Sequence, residues 1–150
     1  MTSSTSAATG PPVAPVAGPP VAPVPGSEYR PGVCNIGPAE IARRRRAGHI
    51  GVLVTVVLLV ALAALHVPPL ARLLVALPAA GAASGYLQAV LRFCAGFAAR
   101  GIFNFDQLGQ SEQVADPGAH ARDRSRANQI LLASLGIGIA VGVVAVILPL

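Results

Sequence analysis

Lysine and tryptophan are absent from this chain, aromatic residues make up 4% of it, and its 150 positions hold two cysteines and six acidic side chains. Each shortage closes off a class of function. Without Trp and with so few rings, neither a base-stacking platform nor a strong interfacial aromatic belt can be built, so nucleic acid is not an expected partner. Two cysteines are too few for a closed structural zinc site. None of the six acidic residues falls inside a long apolar run, which removes the embedded carboxylates that mark proton and ion pathways. No Walker loop, dinucleotide fingerprint, HExxH helix or Ser-His-Asp set can be assembled. The chain is expected not to be an enzyme and to need no cofactor and no metal.

What is plentiful is apolar. Hydrophobic residues make up 53% of the chain and charged ones 11%, too apolar a balance for an ordinary soluble domain. Residues 47–71 carry no charge and centre on GVLVTVVLLVALAAL. A bilayer core about 30 Å thick takes roughly 20 apolar residues at about 1.5 Å each, so this is a membrane span. Residues 73–91 are also free of formal charge, although Pro78, Ser84 and Gln88 suit a helix packed against protein, with Pro78 bending it. Residues 129–150 form a third span. The fold class expected is an all-α membrane protein with three transmembrane helices, a hairpin plus a C-terminal span.

The organisation follows. Residues 1–33 hold GPPVAPV twice, at 10–16 and 18–24, and read as a disordered, polyproline-like tail with no secretory-signal pattern at its start. Residues 34–49 are a basic juxtamembrane helix, with Gly37 as N-cap, Pro38 at the first helical position and Glu40 near the positive end of the dipole. Residues 50–105 hold the hairpin, turned at Pro68 and Pro69, and an interfacial segment in which Phe93 and Phe97 lie at headgroup depth. Residues 106–128 are a polar cytoplasmic loop with a turn at DPG, and 129–150 the last span.

Four features stand out as candidate sites. Arg43, Arg44, Arg45 and Arg46 precede the first span and fit lipid headgroups and a topological role. Gly81 and Gly85 form a GxxxG pair, and Gly138 and Gly142, in register with Ser134, give the third span a small face; both suit helix packing. Cys34 and Cys94 are the only cysteines, one before the first span and one after the second, hence on the same side. In a reducing cytosol they would be inert small hydrophobes, a reactive dithiol, a soft-metal site or a persulfide carrier. A straight helix from Pro38 would carry Cys34 about 20 Å from the interface. A bend near Gly48 and Gly51 is therefore expected, laying the arginines along the headgroups and returning Cys34 to the level of Cys94.

The string CNIG at 34–37, the basic helix after it, the hairpin and the Phe93-Cys94 pair resemble small bacterial membrane proteins, among them the membrane domain fused to rhodanese sulfurtransferases. The resemblance covers about residues 34–105 and implies a cytoplasm-facing cysteine site, carried by Cys34 and Cys94, for sulfur or thiol transfer. The tail, the polar loop and the third span lie outside it. The leading expectation is a non-catalytic packing or assembly component of a bacterial inner membrane, partnered by the lipid bilayer and by a second copy or another membrane protein. The alternative is a cytoplasm-facing thiol or sulfur relay or soft-metal handler.

Counting arginines beside the spans gives nine on one side, Arg43 to Arg46, Arg92, Arg100, Arg122, Arg124 and Arg126, against Arg72 on the other. By the positive-inside rule the amino terminus is cytoplasmic and the carboxyl terminus extracytoplasmic. Reporter fusions at both ends check this: activity of a cytoplasmic reporter only at the amino end is expected, and both termini on one side would remove a span.

Overall fold

The computed structural model describes residues 28–149; the Pro-rich repeats lie outside the described residues. Three helices are long and apolar enough to cross a membrane by length and composition: Pro38–Ala64, Pro69–Val90 and Pro117–Ile147. In chain order the elements are α1 (Pro38–Ala64), a 3-10 segment (Pro69–Val75) running into α2 (Ala76–Val90), α3 (Ala95–Arg100), β1 (Ile102–Phe103), β2 (Glu112–Gln113) and α4 (Pro117–Ile147).

The starts and stops follow local chemistry. α1 begins where Gly37 holds extended backbone and Pro38 takes the first turn, a place that needs no N–H donor. It ends before Pro68 and Pro69, and Pro69 opens the next turn. Pro78 falls in the first turn of α2, just after the 3-10 segment, where its missing N–H breaks no ladder. Asp116 caps α4 with both carboxylate oxygens, accepting from Gly118 N–H and Ala119 N–H at 3.1 and 2.9 Å. The DPG string is thus a helix start. Residues 117–128, expected as loop, are the first turns of α4, whose 31 residues reach about 46 Å, well beyond a hydrocarbon core.

α2 lies between α1 and α4 and is the best covered of the three: 33% of its apolar window is buried within the protein, against 6% for α1. Glycine sets both crossings. A Cβ on Gly85 would lie 2.6 Å from the Gly48 nitrogen, and one on Gly51 would lie 2.8 Å from the Ala82 Cα, so the α1 and α2 backbones touch. On the other side a Cβ on Gly138 would come within 2.5 Å of the Ala76 carbonyl oxygen, and one on Gly142 would meet the Ala76 Cβ at 3.0 Å. Gly81 differs from the expectation: it faces outward with nothing within 4 Å, so the GxxxG pair contributes only Gly85. Its partners are Gly48 and Gly51, read in the sequence as a bend. Both lie inside the single helix Pro38–Ala64 and serve close packing.

At the arginine-rich end α3, the short β1–β2 hairpin and residues 28–37 close over the helices. Phe93 is fully buried with Ala95, Ala98, Ala127 and Ile130, the last two supplied by α4. Gly101 ends α3 in the left-handed region, at φ +67°. At the opposite end buried Arg72 donates from Nη1 to the Leu148 carbonyl at 2.8 Å, supplying the cation that the last turn of α4 lacks.

The crossings predict a sharp asymmetry. Gly85→Leu or Gly138→Leu should cost about 1–3 kcal/mol or prevent folding, while Gly81→Leu should stay within about 0.5 kcal/mol of the parent. Thermal unfolding in one detergent checks this; an equal loss at Gly81 would place a partner helix there.

Candidate functional site

The α1–α2 crossing aligns the two chains in antiparallel register, so the residues before α1 arrive beside the residues after α2. Asn35, completely buried, joins them. Its Nδ2 donates to the Cys94 carbonyl at 3.1 Å and its Oδ1 accepts from the Cys94 N–H at 2.6 Å, so one side chain satisfies both main-chain groups of Cys94. The Asn35 main chain continues the seam, donating to the Arg92 carbonyl and accepting from the Asn104 N–H at 3.0 Å. Gly37 N–H then donates to the Asn104 carbonyl at 2.7 Å. A Cβ on Gly37 would lie 2.6 Å from the Phe105 carbonyl oxygen, and Ile36 is wholly buried. Each residue of the string after Cys34 therefore has a packing reason.

Cys94 is buried and its sulfur receives two donors. Arg44 Nη2 lies 2.9 Å from Sγ, and the Phe97 N–H donates to it at 3.4 Å. The same guanidinium sits over the Phe97 ring, 5.9 Å from its centroid, and 3.6 Å from Glu40 Oε2. Glu40 is 1% exposed, and neither its Oε2 nor the buried Arg44 Nε has a hydrogen-bond partner among the described residues. Of the four consecutive arginines, Arg43, Arg45 and Arg46 face outward, whereas Arg44 turns in, one helical turn from Glu40. A guanidinium and an amide N–H are thus both aimed at this one sulfur.

Cys34 has different surroundings. It is 8% exposed, its sulfur lies 3.9 Å from the Ile36 carbonyl oxygen, and it lines a cavity of about 180 Å³ with Arg30 and Arg92. Both cysteines are free. The structure thus brings the two cysteine-bearing segments together through Asn35, and Cys94 rather than Cys34 has the directed donors. His49 is bonded to the Tyr86 hydroxyl at 2.6 Å, away from the sulfurs. No group of three metal-ligating side chains forms among the described residues.

A second clamp fastens residues 28–34. The wholly buried Asp123 of α4 accepts from the Tyr29 hydroxyl at 2.9 Å and from the Gly32 N–H at 2.6 Å. Asn35, Arg44, Asp123 and Tyr29 escape a reading from sequence. Their only signal is spacing: Glu40 and Arg44 fall at i, i+4, and polar Asn35 and Gln88 flank apolar runs. Gln88 Oε1 accepts the Ala95 N–H at 3.1 Å and so helps hold the turn that carries Cys94. No family model, curated protein or solved structure matches the chain.

Burial and the Asp123 carboxylate hold the Tyr29 hydroxyl well above its ordinary value of 10.0. The protonated phenol is the form that folding favours, so its contribution is complete below about pH 10 and is lost as pH rises through the raised folded value. Alkaline titration of phenolate absorbance should show a transition above the usual range that Tyr29→Phe abolishes. The same substitution leaves one buried carboxylate oxygen without its donor and should cost about 1–3 kcal/mol in thermal unfolding.

Proposed function

We propose that this chain is a thiol protein of a bacterial inner membrane, with its arginine-rich end in the cytoplasm and Cys94 as the reacting sulfur of a thiol or sulfur relay. The observation that carries this reading is the Arg44 guanidinium, 2.9 Å from a buried Cys94 sulfur. An inert cysteine packs as a small hydrophobe and needs no counter-charge. The guanidinium is shared: buried Glu40, 3.6 Å away, offsets its desolvation, and the Cys94 sulfur takes a directed contact from the same group.

The chemistry is a transfer between sulfurs. The Cys94 thiolate attacks the outer sulfur of a persulfide carried by a donor protein or small thiol; the donor S–S bond breaks as the bond to Cys94 forms. The donor leaves as a thiolate that carries off the negative charge, and the new Cys94 persulfide then gives up its terminal S–H proton to water and is anionic beside Arg44, with no net oxidation. Cys34, in its cavity beside Arg30 and Arg92, is the second thiol at the same end. The resemblance of the CNIG segment and hairpin to membrane domains fused to sulfurtransferases points the same way.

The reading as a packing or assembly component draws less support from the geometry. Gly85, Gly138 and Gly142 are closed against the chain's own helices, and among the described residues Gly81 of α2 and Gly136 of α4 are the helix glycines left facing outward with nothing within 4 Å. Arg43, Arg45 and Arg46 remain exposed and suited to anionic headgroups.

Membranes carrying the intact chain, treated with inorganic polysulfide and analysed by mass spectrometry, should gain one sulfur atom on Cys94. Arg44→Gln should slow that gain by about tenfold, the loss of one charge-assisted contact. An unmodified Cys94, or an Arg44→Gln rate equal to the parent's, would overturn the reading.

A further inference from the structure

A cavity of about 550 Å³, not lined by either cysteine, lies at the arginine-rich end between residues 28–29 and the β1–β2 hairpin. Its wall is aromatic: Tyr29 stacks on Phe103 with centroids 4.6 Å apart and planes 13° apart, and Phe105 tilts against Phe103 at 6.1 Å. The Tyr29 hydroxyl is pinned by Asp123, so the shelf is fixed before anything binds. Its remaining lining includes the carboxylates of Glu28, Asp106 and Glu112 and no basic side chain. In a chain of net charge +5, half of the six acidic residues meet here. None of these three forms an ion pair among the described residues, where Glu40 and Asp116 take all such pairs.

Size, faces and charge fit a small cationic ligand: the volume falls within the usual range for ligand clefts, and ring faces attract cations. The spread of the charges narrows the class. Among the described residues no three His, Cys, Asp or Glu side chains come close enough to share a metal ion. Separated carboxylates around an apolar shelf instead match a ligand whose positive charges are themselves separated by methylenes.

We propose that this cavity binds a linear aliphatic polyamine, its ammonium groups on Glu28, Asp106 and Glu112 and its methylenes on Tyr29 and Phe103. The inference stands independently of the thiol reading. No bond is made or broken, and the ligand enters from the aqueous side, because the β1–β2 strand residues Glu112 and Gln113 are exposed.

The test uses the full chain in nanodiscs of phosphatidylcholine, whose neutral headgroups do not collect polyamine, with spermidine as the probe in titration calorimetry. Saturable binding of one spermidine per chain is expected. Asp106→Asn combined with Glu112→Gln should weaken it by about tenfold or more, and Glu28→Gln alone by roughly fivefold or less. Near-UV circular dichroism of the stacked Tyr29–Phe103 pair verifies that the variants keep their fold, and Phe103→Leu, which retains every carboxylate, should also weaken binding. Unsaturable uptake, equal displacement by magnesium at matched ionic strength, or unchanged affinity in the carboxylate variants would overturn the proposal. A trilysine peptide binding more tightly than spermidine would overturn it too, assigning the cavity to protein side chains.

Discussion

Backbone contact between α1 and α2 is the constraint on which the other features rest. Gly48 and Gly51 on one helix meet Gly85 and Ala82 on the other, moving three residues forward along α1 and three back along α2, as an antiparallel pair must. In lipid no hydrophobic drive separates one apolar side chain from another, so helices associate through the closeness that small residues allow. Once that register is set, the distance from each crossing point to the end of its helix determines what meets at the arginine-rich end. Residues 34–37 arrive beside 92–94, and Asn35 closes the gap with two hydrogen bonds. A larger residue at the crossing would separate the helices and shift the seam, so a packing detail in the span governs the chemistry outside it.

Polarity is distributed by the same logic. A chain crossing a bilayer must satisfy every main-chain group that its helices leave open, because no water is available in the hydrocarbon. At one end Arg72 reaches the last carbonyls of α4, and at the other Asp116 caps its start. Asn35 and Gln88 do this for the turn at Cys94 and Ala95, and Asn104 for the turn that reaches Gln107. Glu40 and Arg44 break the pattern, each keeping a buried polar atom without a partner among the described residues. The two form an ion pair at 3.6 Å, and that pair lies beside the sulfur of Cys94.

Much of the architecture was legible in the residues. Charge-free runs marked the three spans, and Gly37-Pro38 and Pro68-Pro69 marked helix boundaries, because these depend on solvent preference and backbone geometry within a few residues. The failures share a cause. Gly48 and Gly51 read as a hinge rather than as a packing surface, since a glycine permits both and only the neighbouring helix decides. Asp116-Pro117-Gly118 read as a turn, although the same residues cap a helix when apolar periodicity resumes beyond them. Arg44 read as one of four headgroup ligands because its inward direction follows from helix phase against α2 and α3, which no local pattern contains. That the segments of Cys34 and Cys94 meet follows from hairpin register, with Asn35 as the link, and the sequence offers no local pattern for that link.

Native-state hydrogen exchange at the Cys94 amide tests the account most directly, since that N–H is held by the side chain of Asn35 and by no helix or strand ladder. In the full chain in nanodiscs it should exchange as slowly as the amides within α2, and Asn35→Leu should release it to the rate of an exposed turn while leaving α2 protected. Fast exchange in the parent chain, or slow exchange that survives Asn35→Leu, would contradict the claim that the helix crossing and Asn35 together build this site.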